Sequence, residues 1–504
     1  MKSVIALALT VTSLSCAAQL DVSFGNSGIV ITDFEISNDQ AYCVTTDNQG
    51  RILTAGSSDA EGGIGFGIVR YLENGQPDPE FGVNGFAVFV PGSTAALAYD
   101  ITTYADNRII LCGMIDGQFG AMRLSEDGSP DNNFGENGVT IIDLPGFIDR
   151  AEAVEIDSNG KIVIAGYSGD IGSNDFAVVR LNEDGSVDES FGNNGSAIVP
   201  VLEENDEAKG MAIQADGKIL LAGSSYNGLQ TDLAVVRFNT DGSLDETFSG
   251  DGKMTFDLGS SYDAVNDIIV QPDGKILLAG ESWFWPNFAM LVARLNPDGN
   301  FDNGFGNAGI SLSAFSQFTS PANCIELQTD GKIIAAGYVM LATEYDFALV
   351  RLMADGSPDN SFGTDGKVVT HPGDSYDQIN ASVMQSDGKL VVAGSQYESK
   401  SSYNFCLARY ETGVISVGET ESDMAFHIHP NPTEDIINLT FSGLADEPLV
   451  LRIQDYVGKV IVEEIVPPHS TRIEVQENIA PGCYIVSIVA ENCIISSLRL
   501  IKRN

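Results

Sequence analysis

Histidine is almost missing from this sequence, with four in 504 residues. His371, His427, His429 and His469 are too scattered to assemble a nucleophile–base–acid triad or a zinc site. Cations are scarce as well: 26 Lys and Arg stand against 70 Asp and Glu, a net charge of −44. Nucleic-acid binding needs a basic footprint, so that class of partner is excluded. The acids are spread over turns and loops, which reads as a solubilising surface. No stretch is apolar for long enough to cross a membrane as a helix, and none keeps a 3.6-residue hydrophobic period over a useful length. Tryptophan occurs only at Trp283 and Trp285. The cysteines show no CxxC metal spacing. Cys43, Cys112, Cys324 and Cys406 lie in different units of the repeat described below, and Cys483 and Cys493 are offset across one hairpin. A disulfide needs Cα atoms within ~7 Å, so mostly buried free thiols are expected.

What the sequence has instead is a module that occurs seven times. A basic residue opens one apolar strand of each unit: Arg51, Arg108, Lys161, Lys218, Lys275, Lys332 and Lys389. An arginine closes the next: Arg70, Arg123, Arg180, Arg237, Arg294, Arg351 and Arg409. Phe24, Phe81, Phe134, Phe191, Phe248, Phe305 and Phe362 follow an Asp by three positions, at successive spacings of 57, 53, 57, 57, 57 and 57. A period this regular marks a repeat architecture. Each unit holds four short apolar runs, in the fourth unit at 196–201, 210–214, 218–223 and 233–238, with an Asp216-Gly217 turn between the second and third. An Asp-Gly pair between apolar runs is a hairpin signal. The pattern predicts an all-β fold, a seven-bladed β-propeller of four-stranded antiparallel blades over about 19–410.

The two chain ends differ from the ring. Residues 1–18 read as a secretory signal peptide: Lys2, an apolar run over 4–14, and Cys16-Ala17-Ala18 before Gln19. Ser13 stands where a lipobox wants a bulky aliphatic residue, so plain cleavage is expected. After it comes Leu20-Asp21-Val22-Ser23-Phe24-Gly25, the middle of a linker, and the run at 29–32 follows no unit of its own. The seventh unit ends at Arg409-Tyr410 with no such run after it. Pairing 29–32 with the last blade would latch the ring and leave no open edge; the alternative is that each unit is its own blade. Residues 411–424 form a polar linker. A small sandwich-like β domain over 425–504 follows, with strands at 436–441, 449–455, 459–466, 470–475, 482–489 and 493–501.

Gln271-Pro272-Asp273-Gly274-Lys275-Ile276-Leu277-Leu278-Ala279-Gly280 and Phe176-Ala177-Val178-Val179-Arg180-Leu181-Asn182 resemble the delta-60 repeat of exported bacterial propellers. That resemblance covers the whole ring and implies a fold without an activity. The C-terminal domain resembles the type A sorting domain of the type IX secretion system. The matching blocks are His429-Pro430-Asn431-Pro432, Asp455-Tyr456-Val457-Gly458-Lys459-Val460 and Ala480-Pro481-Gly482-Cys483-Tyr484, with Pro430, Asn431, Pro432, Gly458 and Gly482 as the motif positions. His429 and Cys483 depart from the usual Tyr and polar residue. The resemblance implies a Gram-negative host of the Bacteroidetes kind, passage across the outer membrane to the surface or beyond, and the secretion machinery as partner.

A residue present in every unit is most economically structural, so functional candidates are those that break the repeat. The Arg column is expected to pair with linker acids such as Asp188 and Asp245. One end of the ring carries uniform turns and the other carries loops that vary, where binding is expected. Trp283 and Trp285 share one variable loop beside Glu281 and Pro286, and Tyr262, Phe315, Phe318, Tyr345, Tyr376 and Tyr403 come from others. The bland reading is that these rings cap the core. Asp100 and Asp267, with Glu155 and Glu326 two positions further along in other units, could form the carboxylate pair of a glycosidase; solvated channel walls are the plainer role. Turns such as Asn182-Glu183-Asp184-Gly185-Ser186-Val187-Asp188 resemble the opening of a calcium loop without its bidentate Glu. No cofactor is expected. The function expected is an exported, non-catalytic binding scaffold for a glycan or protein, its candidate ligand residues being Trp283, Trp285, Tyr262, Asp100 and Asp267. The alternatives are a polysaccharide-active hydrolase or lyase and a structural adhesion component.

Overall fold

The structure is a computed structural model. It describes residues 19–413 apart from 35–37, 61, 94, 171, 203, 285–286, 316–319, 342–343, 374–375 and 399–401. After these it describes 426–429, 437–441, 449–455, 460–467, 472–475, 482–490 and 493–502. The signal peptide therefore lies outside the described residues, as do Trp285, Phe318 and the sorting-motif positions Pro430, Asn431, Pro432 and Gly458.

The repeat folds as strands joined by tight turns, and one unit shows why. Asp206–Ile213 turns at Asp216-Gly217 into Ile219–Tyr226, with Ile213 opposite Ile219 and Gly217 at φ 85°. Ile219–Tyr226 then pairs with Thr231–Phe238, which pairs in turn with Lys253–Phe256. That last strand lies beyond Phe248, in the next unit by sequence. The linker folds back on its own arginine: Asp245 N donates to Arg237 O and Arg237 N to Gly252 O, both at 2.9 Å. The strand after the linker is thereby laid against the strand before it. Grouping the run at 196–201 with 210–238 in one unit thus needs correction. Ser196–Val199 is the outer strand of the preceding sheet, with Ser196 opposite Val179.

Seven sheets form in this way. Their inner strands are Asp39–Thr46, Ala96–Thr103, Ile148–Ile156, Asp206–Ile213, Asp263–Val270, Ala322–Leu327 and Asp377–Met384; we number the sheets in this order. Each inner strand touches the next, and the seventh touches the first, so the ring closes. The seventh sheet takes its outer strand from the N-terminal end. Ile29–Thr32 lies antiparallel to Ser402–Glu411, Ile29 facing Ala408 and Thr32 facing Phe405, and Leu20 pairs with Tyr410 just beyond. This is the expected latch.

Between neighbouring sheets lies a dry layer, such as Ala212, Leu220, Ala222, Val235 and Phe248 against Val265, Ile268, Ile276 and Leu278. Every inner strand carries a β-bulge at one place; in the fourth, the ladder steps from Ala208 to Gly210. The bulge presses the inner strand onto its neighbour, where a Cβ at Gly223 would meet Glu207 O at 1.9 Å. Only glycine fits that approach, which explains the glycine that ends each Ala-Gly pair of the repeat. Cys43, Cys112, Cys324 and Cys406 are buried free thiols.

The C-terminal unit has two sheets. One contains Phe426–His429, Ile437–Phe441 and Arg472–Val475; the other contains Val460–Val466, Leu449–Asp455, Gly482–Ala490 and Cys493–Lys502. Phe426–His429 is a strand beyond those the sequence predicts. Cys483 faces Ile501 and Cys493 faces Ala490, at opposite ends of one hairpin.

Candidate binding face

The repeated charges are spent on the frame. Arg237 Nε donates to Asp245 at 2.7 Å, its Nη1 reaches Pro297 O of the following sheet at 2.5 Å, and its guanidinium lies 4.7 Å from the Phe248 ring centre. The same set recurs as Arg180 with Asp188, Thr240 O and Phe191, and as Arg294 with Asp302, Ala354 O and Phe305. Lys275 joins Asp302 at 2.9 Å, and its hydrogen bond heads the effects that hold that carboxyl at about 2.

The variable loops leave the other end of the ring. There the sixth and seventh sheets present a continuous row of rings. Tyr338 and Tyr345 have centroids 5.1 Å apart, Tyr345 and Tyr376 5.2 Å, Tyr376 and Tyr397 6.0 Å, and Tyr397 and Tyr403 5.0 Å. Tyr376 is exposed and the other four are half-buried. The sequence-predicted Tyr345, Tyr376 and Tyr403 therefore meet, joined by Tyr338 and Tyr397. Beside them in the fifth sheet, Trp283 stacks on Phe288 at 5.4 Å, and Tyr262 meets Phe288 edge-on at 6.3 Å. Tyr262 O also accepts from Trp283 N at 2.9 Å. Phe315, expected on this face, packs instead against the core between the fifth and sixth sheets.

The inner wall holds a second set, which sequence reasoning missed. The extra residue of the bulge is Tyr42, Tyr99, Glu152, Lys209, Asn266, Asn323 and Asn380 going round the ring. The three asparagines stitch strands together: Asn266 donates to Ala322 O at 3.0 Å, Asn323 to Ile379 O at 2.7 Å, and Asn380 to Ala41 O at 2.7 Å. Opposite them lies an ionic knot. Arg150 Nε and Lys209 Nζ approach Glu152 at 2.8 and 2.7 Å, Arg150 lies 3.8 Å from the Tyr99 ring centre, and Tyr42 packs on Tyr99 at 5.3 Å. Arg150 and Lys209 fall outside both repeated basic columns. Aligning the units by their period would have marked them, with Lys253, Lys367 and Lys400, as breaks in the pattern.

Asp100 and Asp267 are joiners between sheets. Asp100 accepts from Val154 N of the next sheet at 2.7 Å and from Ile101 N at 2.8 Å. Asp267 accepts from Ile325 N of its next sheet at 2.8 Å and from Ile268 N at 2.7 Å. Glu155 accepts from Ile213 N at 3.2 Å and Glu326 from Ser382 Oγ at 3.1 Å, again one sheet on. The wall role expected of these acids is thus incomplete: each is half-buried, and its carboxylate is also turned to the neighbouring sheet. Burial is the main cause that pushes Asp100, Asp267 and Glu155 to about 7 and Glu326 to about 8. The charge of Asp267 adds to the rise at Asp100, against the pull of the N–H donors. In the turn weighed as a calcium loop, the Asp184 carboxylate is taken by Ser186 N and Oγ at 3.0 and 2.6 Å. Among the described residues no three possible metal ligands gather.

The family described as a domain of unknown function (DUF5122) β-propeller matches residues 50–81, 158–191, 214–248, 271–305, 328–362 and 385–413. The secretion system C-terminal sorting domain matches residues 427–503. No curated protein matches this chain. Among solved structures, a protein of unknown function from Dyadobacter fermentans DSM 18053 aligns with a TM-score of 0.40 and 11% identity, over 78% of this chain and 99% of its own. Polysaccharide lyase Uly1 aligns with a TM-score of 0.40 and 10% identity over 78% and 92%. The calcium-binding protein regucalcin from Agrobacterium tumefaciens str. C58 aligns with a TM-score of 0.33 and 10% identity over 77% and 96%. At such identities the likeness is one of fold alone. Among the described residues no helix is long and apolar enough to cross a membrane.

Proposed function

We propose that this chain, a β-propeller of DUF5122 repeats that a secretion system C-terminal sorting domain sends to the cell surface or outside, is a non-catalytic binding scaffold for a glycan chain. The observation that carries the reading is the row from Tyr338 to Tyr403. Half-buried and exposed tyrosines offer flat apolar faces to the C–H side of a sugar ring and phenol hydroxyls to its OH groups. Rigid sheets hold the rings, so little ordering cost falls on binding. The inner-wall acids favour binding over hydrolysis, because their oxygens are committed to backbone N–H groups of the adjacent strand.

A glycan array probed with the secreted full chain, followed by incubation of each hit with product analysis, tests this. Binding without cleavage, weakened by Tyr345→Ala and Tyr376→Ala, is the expected result. Turnover that survives those changes and is lost in Asp100→Asn or Asp267→Asn would replace a scaffold with an enzyme of the inner wall. Silence on the array would leave the adhesion-component reading.

A further inference from the structure

The second strand of each sheet carries one equivalent residue near the variable end: Ser57, Met114, Tyr167, Ser224, Glu281, Tyr338 and Ser395. Glu281 is the one carboxylate in that column. Its inner-strand partner is Ala264, where the third and fourth sheets place Arg150 and Glu207. The fifth sheet therefore removes the polar neighbour at the place where it introduces a charge. Among the described residues the Glu281 carboxylate takes part in no hydrogen bond and no ion pair. The strand side it occupies also bears Ala279, which packs on the sixth sheet, so the carboxylate stands at the seam between the two.

Aromatic rings surround that seam. Trp283 is two residues on, hence on the same side of the strand, and lies nearly parallel to Phe288, at 6° between planes. The phenols of Tyr262 and Tyr338 both feel the Glu281 charge, which adds to burial in raising each to about 12. All five side chains are half-buried, and Tyr338 opens directly into the tyrosine row.

We infer that Glu281, with Tyr262, Trp283, Phe288 and Tyr338 around it, receives a protonated amine, the ammonium of an amino sugar. The inference rests on this face being the binding face and adds the charge of what it holds. A half-buried carboxylate without a partner is costly in the free protein, and an incoming ammonium supplies the missing countercharge. Aromatic faces attract the same cation. A chain of net charge −44 draws cationic ligands toward it.

The test titrates the full chain by calorimetry and by tryptophan fluorescence, which reports this site through Trp283. One arm compares a glucosamine tetramer with its N-acetylated form, and the other a lysine peptide with its acetyl-lysine form. The expected result is that the glucosamine tetramer binds about tenfold more tightly than its N-acetylated form, and that Glu281→Gln erases the difference without lowering the melting temperature. A preference shown by the lysine peptide alone overturns the amino-sugar assignment in favour of a protein ligand. Equal binding of amine and acetylated forms, or no amine binding at millimolar concentration, overturns the inference. So does a preference that survives Glu281→Gln. Failure of the tyrosine row is read separately, as loss of neutral-glycan binding in Tyr345→Ala and Tyr376→Ala with the amine preference intact.

Discussion

Asp21 and Arg409 are separated by 388 residues of chain and by 2.7 Å in the fold, with side chains only 5% and 2% exposed. In the other six sheets the acid that meets this arginine stands eight residues after it, as Asp245 does for Arg237. The seventh unit has no linker of its own, and the N-terminal end supplies one. Lys389 joins the same carboxylate at 2.9 Å, and Phe24 lies under the guanidinium at 4.5 Å. A single residue thus ties strand, turn and chain end together.

The latch predicts a large effect from a small change. Asp21→Ala leaves Arg409 buried beside no carboxylate, a loss of about 3–5 kcal/mol for a pair of this kind. Removing residues 19–33 additionally exposes the edge of Ser402–Glu411 and should promote association. Chemical denaturation and light scattering check both. A truncated ring that melts as high and as cooperatively as its parent would remove the latch from the account.

Stability should also fall as pH rises toward and past neutrality. Asp100, Asp267 and Glu155 hold their protons to about 7 and Glu326 to about 8 in the folded ring, whereas an unfolded carboxyl gives up its proton near ~4. The folded state therefore binds more protons than the unfolded one across that interval. The stabilisation is complete below the unfolded value and is lost as pH climbs through 7 to 8. Asp302 and Asp359, held down at about 2, act in the opposite sense and only at lower pH. Melting temperatures from pH 5 to 8.5 should decline, and the decline should flatten in the Asp100→Asn, Asp267→Asn double variant. A curve flat or rising over that range contradicts the assignment.

Local features were legible in the sequence because they repeat in place. The Asp-Gly turns, the Arg column and the linker Phe each act within one unit or on the next, so a fixed spacing exposes them. The exchange of the outer strand was legible only at the chain ends, where a strand was visibly left over. In the middle of the ring every unit both gives and takes one, and the sequence looks unbroken. The knot of Arg150, Glu152, Lys209 and Tyr99 was hidden for a related reason. Its members come from three inner strands, and only ring closure with the shared bulge brings them together. The joining role of Asp100 and Asp267 was hidden because a side chain aimed at the next strand's N–H reads the same in sequence as one aimed at solvent.

The C-terminal unit should act independently of the ring as an export signal. It has its own sheets and its own buried set, including Leu451, Ile453, Val462 and Val486. A reporter carrying residues 425–504 is expected on the surface of a host with the type IX machinery, measured by protease accessibility on intact cells. Retention in the periplasm of such a host would show that the ring contributes to sorting.

Trp283 separates the two readings of the variable-face aromatics, binding group or core cap. It stands directly across the hairpin from Phe288, stacked on it and half-buried. A wholly buried tryptophan costs ~3–5 kcal/mol when cut to alanine. A half-buried one that chiefly loses a ring stack should cost less, about 1–2 kcal/mol. Trp283→Ala is therefore expected to shift the urea midpoint modestly with an unchanged slope, while lowering affinity for whichever sugar or amine the full chain binds. The inner and outer strands of the fifth sheet do not depend on this residue for their register, so the ring should stay closed. A loss of 3 kcal/mol or more, with affinity unchanged once the remaining folded protein is counted, would make Trp283 a cap. The ligand would then be sought along the tyrosine row of the sixth and seventh sheets alone.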